Sequence, residues 1–121
     1  MVQQSVIILL FMKQYVIDEL RPADYEMLKT YLDERYGPPA MNGIYWIPLE
    51  TDKLTDIQAE HTECQPQCVA VDLDDNRLAC ELLVRSKNRM RCDCIHYATD
   101  IQRNWLIELI DNIFERLQIK T

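Results

Sequence analysis

Glycine is nearly absent, with two residues in a chain of 121. No GxGxxG fingerprint and no Walker-type loop can be written, so nucleotide cradles of those kinds are excluded. Bases are outnumbered, thirteen against twenty acids, for a net charge of −7. An acidic domain repels phosphate backbones, which disfavours nucleic acid as a partner. Two histidines and no GxSxG leave no catalytic triad to nominate. Residues 5–12 (SVIILLFM) form an apolar run that is too short to cross a bilayer. No basic stretch precedes it and no small-x-small cleavage site follows it, so neither a leader peptide nor a membrane partner is expected. No motif calls for a cofactor, and the sequence favours a non-catalytic domain.

Hydrophobic residues make up 48% of the chain and charged residues 27%, which is globular usage and excludes a disordered tail or a fibre. The length suits one domain. Residues 1–11 read as an apolar arm, an extra strand or the product of an upstream start codon, and residues 12–121 as a single α+β domain. The five cysteines, Cys64, Cys68, Cys80, Cys92 and Cys94, are odd in number, and with no leader the expected compartment is a reducing cytoplasm with free thiols.

Tyr15-Val16-Ile17 predicts a strand. Pro22 fits a first helical position, and Tyr25, Leu28, Leu32 and Tyr36 recur at helical spacing until Gly37-Pro38-Pro39 stops the helix. Ile44 to Ile47 predict a short strand closed by Pro48. Thr55 with Gln58 resembles a capping box and predicts a short helix within residues 51–61. From Cys68 to Tyr97 the period changes to two, which predicts a three-stranded meander broken at residues 74–77 and 86–88. Matching apolar faces sets Leu73 opposite Leu78, Val71 opposite Cys80, Val84 opposite Met90 and Leu82 opposite Cys92. Thr99 and Gln102 form a second capping box, and Leu106, Leu109, Ile110, Ile113 and Leu117 make an apolar stripe that can cover a sheet. The expected order is β-α-β-(α)-β-β-β-α, a mostly antiparallel sheet with helices mainly on one face.

Two groups of residues carry chemistry. Arg85, Lys87, Arg89 and Arg91 pack four of the thirteen bases into seven residues at a spacing of two. The expected register sets Arg85 across from Arg89, and like charges directly opposite destabilise a sheet, so stability does not explain the cluster. An anionic ligand or an acidic protein partner would, as would the chain's own residues 50–81, which carry nine acids against two bases. The bland alternative is a solvated hairpin tip that guards a sheet edge. No aromatic platform lies between these bases, which argues against single-stranded nucleic acid. A second copy of the chain is the other candidate partner, on the grounds of the apolar run 5–12 and the aromatic pair Tyr45-Trp46.

The second group is a scatter of Cys and His. His61, Cys64 and Cys68 precede Cys92, Cys94 and His96 by about two dozen residues, and by ligand type this is a candidate zinc site. The set favoured by sequence is His61, Cys64 and Cys68 with His96, as a metal site or as a redox dithiol at Cys64 and Cys68. Cys92 and Cys94 fit less well. Alternate residues on a strand stand about 6.6 Å apart, whereas two thiolates on one tetrahedral zinc stand about 3.8 Å apart. A regular strand therefore cannot offer both to one ion, and the bland reading makes Cys80, Cys92 and Cys94 small core residues.

Overall fold

A computed structural model describes residues 3–9, 12–39, 43–86 and 92–120. Strands β1 (Gln3–Leu9) and β2 (Met12–Asp18) pair as an antiparallel hairpin with Val6 opposite Tyr15. Helix α1 (Pro22–Tyr36) starts where Pro22 fixes φ, and the Asp24 carboxylate accepts the Arg21 backbone N–H at 3.0 Å. It ends at Gly37, whose φ of 84° suits a residue without a side chain and whose N–H bonds the Asp33 carbonyl at 3.0 Å. Strand β3 (Ile44–Pro48) follows, then α2 (Asp56–Glu60), β4 (Gln67–Asp74), β5 (Arg77–Glu81), β6 (Leu83–Ser86), β7 (His96–Tyr97) and α3 (Asp100–Arg116). No helix among the described residues is long and apolar enough to cross a membrane.

The strands join in one antiparallel sheet in the order β1-β2-β5-β4-β6-β7, with β3 on the other edge of β4. The β4–β5 register is the one that facing predicts, with Val71 opposite Cys80 and Leu73 opposite Leu78. Gly43 is obligatory. It has a φ of 76°, and a Cβ there would stand 2.6 Å from the Leu73 carbonyl oxygen. The Leu73 N–H donates to the Gly43 carbonyl at 3.0 Å across that close approach.

The expected meander is modified after Glu81. Leu82 leaves the β4 ladder: its N–H bonds the Lys13 carbonyl at 2.9 Å and its carbonyl accepts the Ala98 N–H at 2.7 Å. The register against β4 shifts across this bulge, from Val71 opposite Cys80 to Cys68 opposite Arg85. Val84 faces His96 rather than Met90, and Leu83 faces Tyr97. Arg89, the expected partner of Arg85, lies outside the described residues.

Alternation puts Tyr15, Ile17, Tyr45, Ile47, Val69, Val71, Leu78, Cys80 and Val84 in one core with Leu28 and Leu32 of α1 and Leu106, Ile110, Ile113 and Phe114 of α3. Both long helices thus cover the same sheet face, and the fold is α+β. Each fully buried Leu, Ile or Phe side chain contributes roughly 1.5–3 kcal/mol of transfer free energy. Two buried tyrosines fix the helices. The Tyr15 hydroxyl donates to Asp111 on α3 at 2.7 Å and the Tyr45 hydroxyl to Asp33 on α1 at 2.5 Å.

The Tyr45 hydroxyl and then the Lys29 ammonium hold the Asp33 carboxyl below the usual carboxylate range. A lowered folded-state pKa contributes stability above the unfolded value, and that stability is lost as pH falls through the folded one. Tyr45→Phe is therefore expected to lower the urea midpoint at pH 7. The gap between the two proteins should narrow as Asp33 protonates; a gap independent of pH would show that the hydroxyl's partner is not the carboxylate.

Candidate metal centre

The connection from β3 to β4 is built from two short turns. The Thr55 and Gln58 capping box starts α2, with Gln58 N–H to Thr55 Oγ1 at 3.3 Å and Thr55 N–H to Gln58 Oε1 at 3.0 Å. α2 stops at His61, and a 3₁₀ turn over Thr62–Cys64 follows, closed by the Cys64 N–H on the His61 carbonyl at 3.0 Å. His61 caps this turn and Cys64 ends it, so one short connection carries both side chains.

Residues 92–95 form a second turn, with the Ile95 N–H on the Cys92 carbonyl at 3.1 Å. This removes the geometric objection to Cys92 and Cys94, because a turn draws together alternate side chains that a strand holds apart. The two turns meet. One donor atom from each of His61, Cys64, Cys92 and Cys94 lies within 4.8 Å of every other. His61 Nδ1 stands 2.9 Å from Cys92 Sγ, and the Cys64 and Cys92 sulphurs are 3.5 Å apart. The edge of a tetrahedral zinc–thiolate site is about 3.8 Å, so the donors need move only slightly to enclose one ion.

Two buried glutamine amides line the cluster. Gln67, itself buried on β4, directs its amide Nε2 at Cys94 Sγ at 3.3 Å. Gln58 Nε2 donates to the Cys94 carbonyl at 3.4 Å, and Gln58 Oε1 accepts from Gln102 Nε2 at 2.8 Å. The Cys94 backbone N–H, foremost, with the Cys94 and Cys64 thiols and His61, pulls the Cys92 thiol down to about 6. Burial, and then the sulphurs of Cys92 and Cys94, push Cys64 up to about 12. Like charges this close cannot all persist without a cation. Cys64 and Cys94 are fully buried, whereas His61 and Cys92 are half-buried.

Of the residues singled out by sequence, the structure thus brings His61 and Cys64 into the cluster and places Cys68 and His96 elsewhere. Cys68 lies within β4, and its thiol reaches the Pro66 carbonyl at 3.6 Å. His96 belongs to β7, and its Nδ1 is 2.8 Å from the Tyr97 carbonyl oxygen. The sequence signal for Cys92 and Cys94 was Asp93, a turn former between two cysteines.

Of the basic cluster, Arg85 lies on β6, and its guanidinium sits 5.0 Å from the Trp46 ring centroid and 3.4 Å from Glu81 Oε2. One of the four bases is thus paired within the acidic stretch 50–81. Lys87, Arg89 and Arg91 lie outside the described residues. No protein family, curated protein or solved structure matches this chain.

Proposed function

We infer that this chain is a small metal-stabilised binding domain, in which His61, Cys64, Cys92 and Cys94 hold one structural zinc ion. The supporting observation is the convergence of one imidazole and three thiol donors within 4.8 Å, from two turns far apart in sequence. Nitrogen and thiolate donors at tetrahedral spacing suit zinc, whereas calcium and magnesium take oxygen. A donor set this compact fits a single ion better than a cluster whose ligands divide between two irons. Four protein ligands leave no open position for substrate, which is the arrangement of a structural site rather than a catalytic one. The metal ties the β3–β4 connection to the chain entering β7.

The partner in this reading is an acidic protein surface or other anionic ligand, met by Arg85, Lys87, Arg89 and Arg91. Support comes from the ends of that segment: Ser86 pairs with Gln67 on β4, and Cys92 belongs to the His/Cys cluster.

Metal analysis tests the site. Protein purified without chelators is expected to carry about one zinc per chain. Cys64→Ser and Cys92→Ser should lose it, whereas Cys68→Ser should keep it. Full loss in Cys68→Ser with retention in Cys92→Ser would overturn the ligand assignment. For the basic segment, Arg89→Glu should weaken retention on an immobilised polyglutamate and leave the melting temperature unchanged or slightly raised. A clear fall in melting temperature would show that the arginine is structural.

A further inference from the structure

The cluster also has the geometry for a second chemistry, and this inference rests on the metal reading above. The Cys64 and Cys92 sulphurs are 3.5 Å apart. A disulfide bond is about 2.05 Å long, so about 1.5 Å of approach joins them. Cys64 ends the Thr62–Cys64 turn and Cys92 opens the turn at residues 92–95, so the approach breaks no sheet ladder. Exposure differs between the sulphurs. Cys92 is half-buried, while Cys64 and Cys94 are fully enclosed and the Cys94 sulphur accepts the Gln67 amide. A small oxidant arriving from solvent therefore meets Cys92 first and finds Cys64 as its neighbour.

We propose that hydrogen peroxide converts this site into a Cys64–Cys92 disulfide and thereby expels the metal. In the first step the Cys92 thiolate attacks one peroxide oxygen. The O–O bond breaks, hydroxide leaves and takes a proton to become water, and Cys92 becomes a sulfenic acid. In the second step the Cys64 sulphur attacks the Cys92 sulphur. The S–O bond breaks as the S–S bond forms, and the departing hydroxide takes a proton from Cys64 or solvent as a second water. The thiols give up two electrons and the peroxide accepts them, while the metal leaves as the same divalent ion. His61 and Cys94 remain, and two donors are too few for a structural site. A resolving thiol at this distance also protects Cys92 from irreversible oxidation to sulfinic acid.

The test uses the whole chain with Cys68→Ser, so that a cross-link to residue 64 is unambiguous. Metal content is measured first. Peroxide is then added with a chromogenic zinc chelator. The expected result is one equivalent of zinc released in step with the loss of two hydrogens in mass, and a Cys64–Cys92 link in the fragmented digest. Dithiothreitol with added zinc should restore the starting state. In Cys64→Ser, Cys92 should instead gain two oxygens. A link through Cys94, sulfinic acid at Cys92 in the chain that retains Cys64, or disulfide formed without metal release would each overturn the proposal. Absence of metal at the outset overturns the metal reading and the expulsion step with it, while the cross-link map separately decides whether Cys64 and Cys92 join.

Discussion

Removing the metal with a tight chelator is expected to lower the melting temperature by about 15 °C. A ligand bound only by the folded state stabilises it by about 4 kcal/mol when present at a thousand times its dissociation constant. For a domain of this size each kcal/mol moves the midpoint by roughly 4 °C. The loss should be this large because an ion held by the proposed ligands would close a long loop. His61 and Cys92 are 31 positions apart, and their turns have little regular structure of their own. Without the cation, adjacent thiolates repel or must protonate within an enclosed site. Differential scanning calorimetry with and without chelator measures the shift. Cys64→Ser should melt low in both conditions and show almost no shift, which separates metal loss from a general effect of the chelator.

The second large effect is expected from Gln58→Leu. Gln58 is fully buried, and its amide serves three partners: the Thr55 N–H, the Gln102 amide and the Cys94 carbonyl. Leucine fills similar space but leaves those partners inside the protein. Each orphaned buried group costs about 1–3 kcal/mol, and Gln102 keeps the Lys53 carbonyl at 2.9 Å, so about 2–6 kcal/mol in total is expected for the other two. The substitution also frees the backbone of Cys94, a ligand in the proposed centre, and loss of such supporting contacts typically weakens metal affinity by about 10–100-fold. Urea unfolding and competition with a chelator of known affinity read the two effects separately. A stability loss with unchanged metal affinity would show that Gln58 supports the helix ends and not the centre.

These residues show what was legible in the sequence and what was not. Both capping boxes were readable, because Thr55 with Gln58 and Thr99 with Gln102 are local signals at fixed spacing. That the two glutamines would bond each other across 44 positions was not, since no periodicity encodes which helix ends meet. The β4–β5 hairpin was readable because its short turn and apolar parity agree on one register. The bulge at Leu82 was hidden, because alternation continues through it, and the contacts of Leu82 with Lys13 and Ala98 and the shifted register against β4 reveal it. Half of the His/Cys cluster was legible. His61 and Cys64 stood out by ligand type, but Cys92 and Cys94 looked like inward strand positions in an unbroken alternation. The turn at residues 92–95 overrides that pattern, and its reward is a long-range contact with the 61–64 turn.

X-ray absorption at the metal edge of the purified protein tests the central claim most directly. The account predicts a bound zinc ion with three sulphur neighbours at about 2.3 Å and one nitrogen at about 2.0–2.1 Å. A protein without metal, or an ion surrounded by oxygen and nitrogen alone, would contradict it.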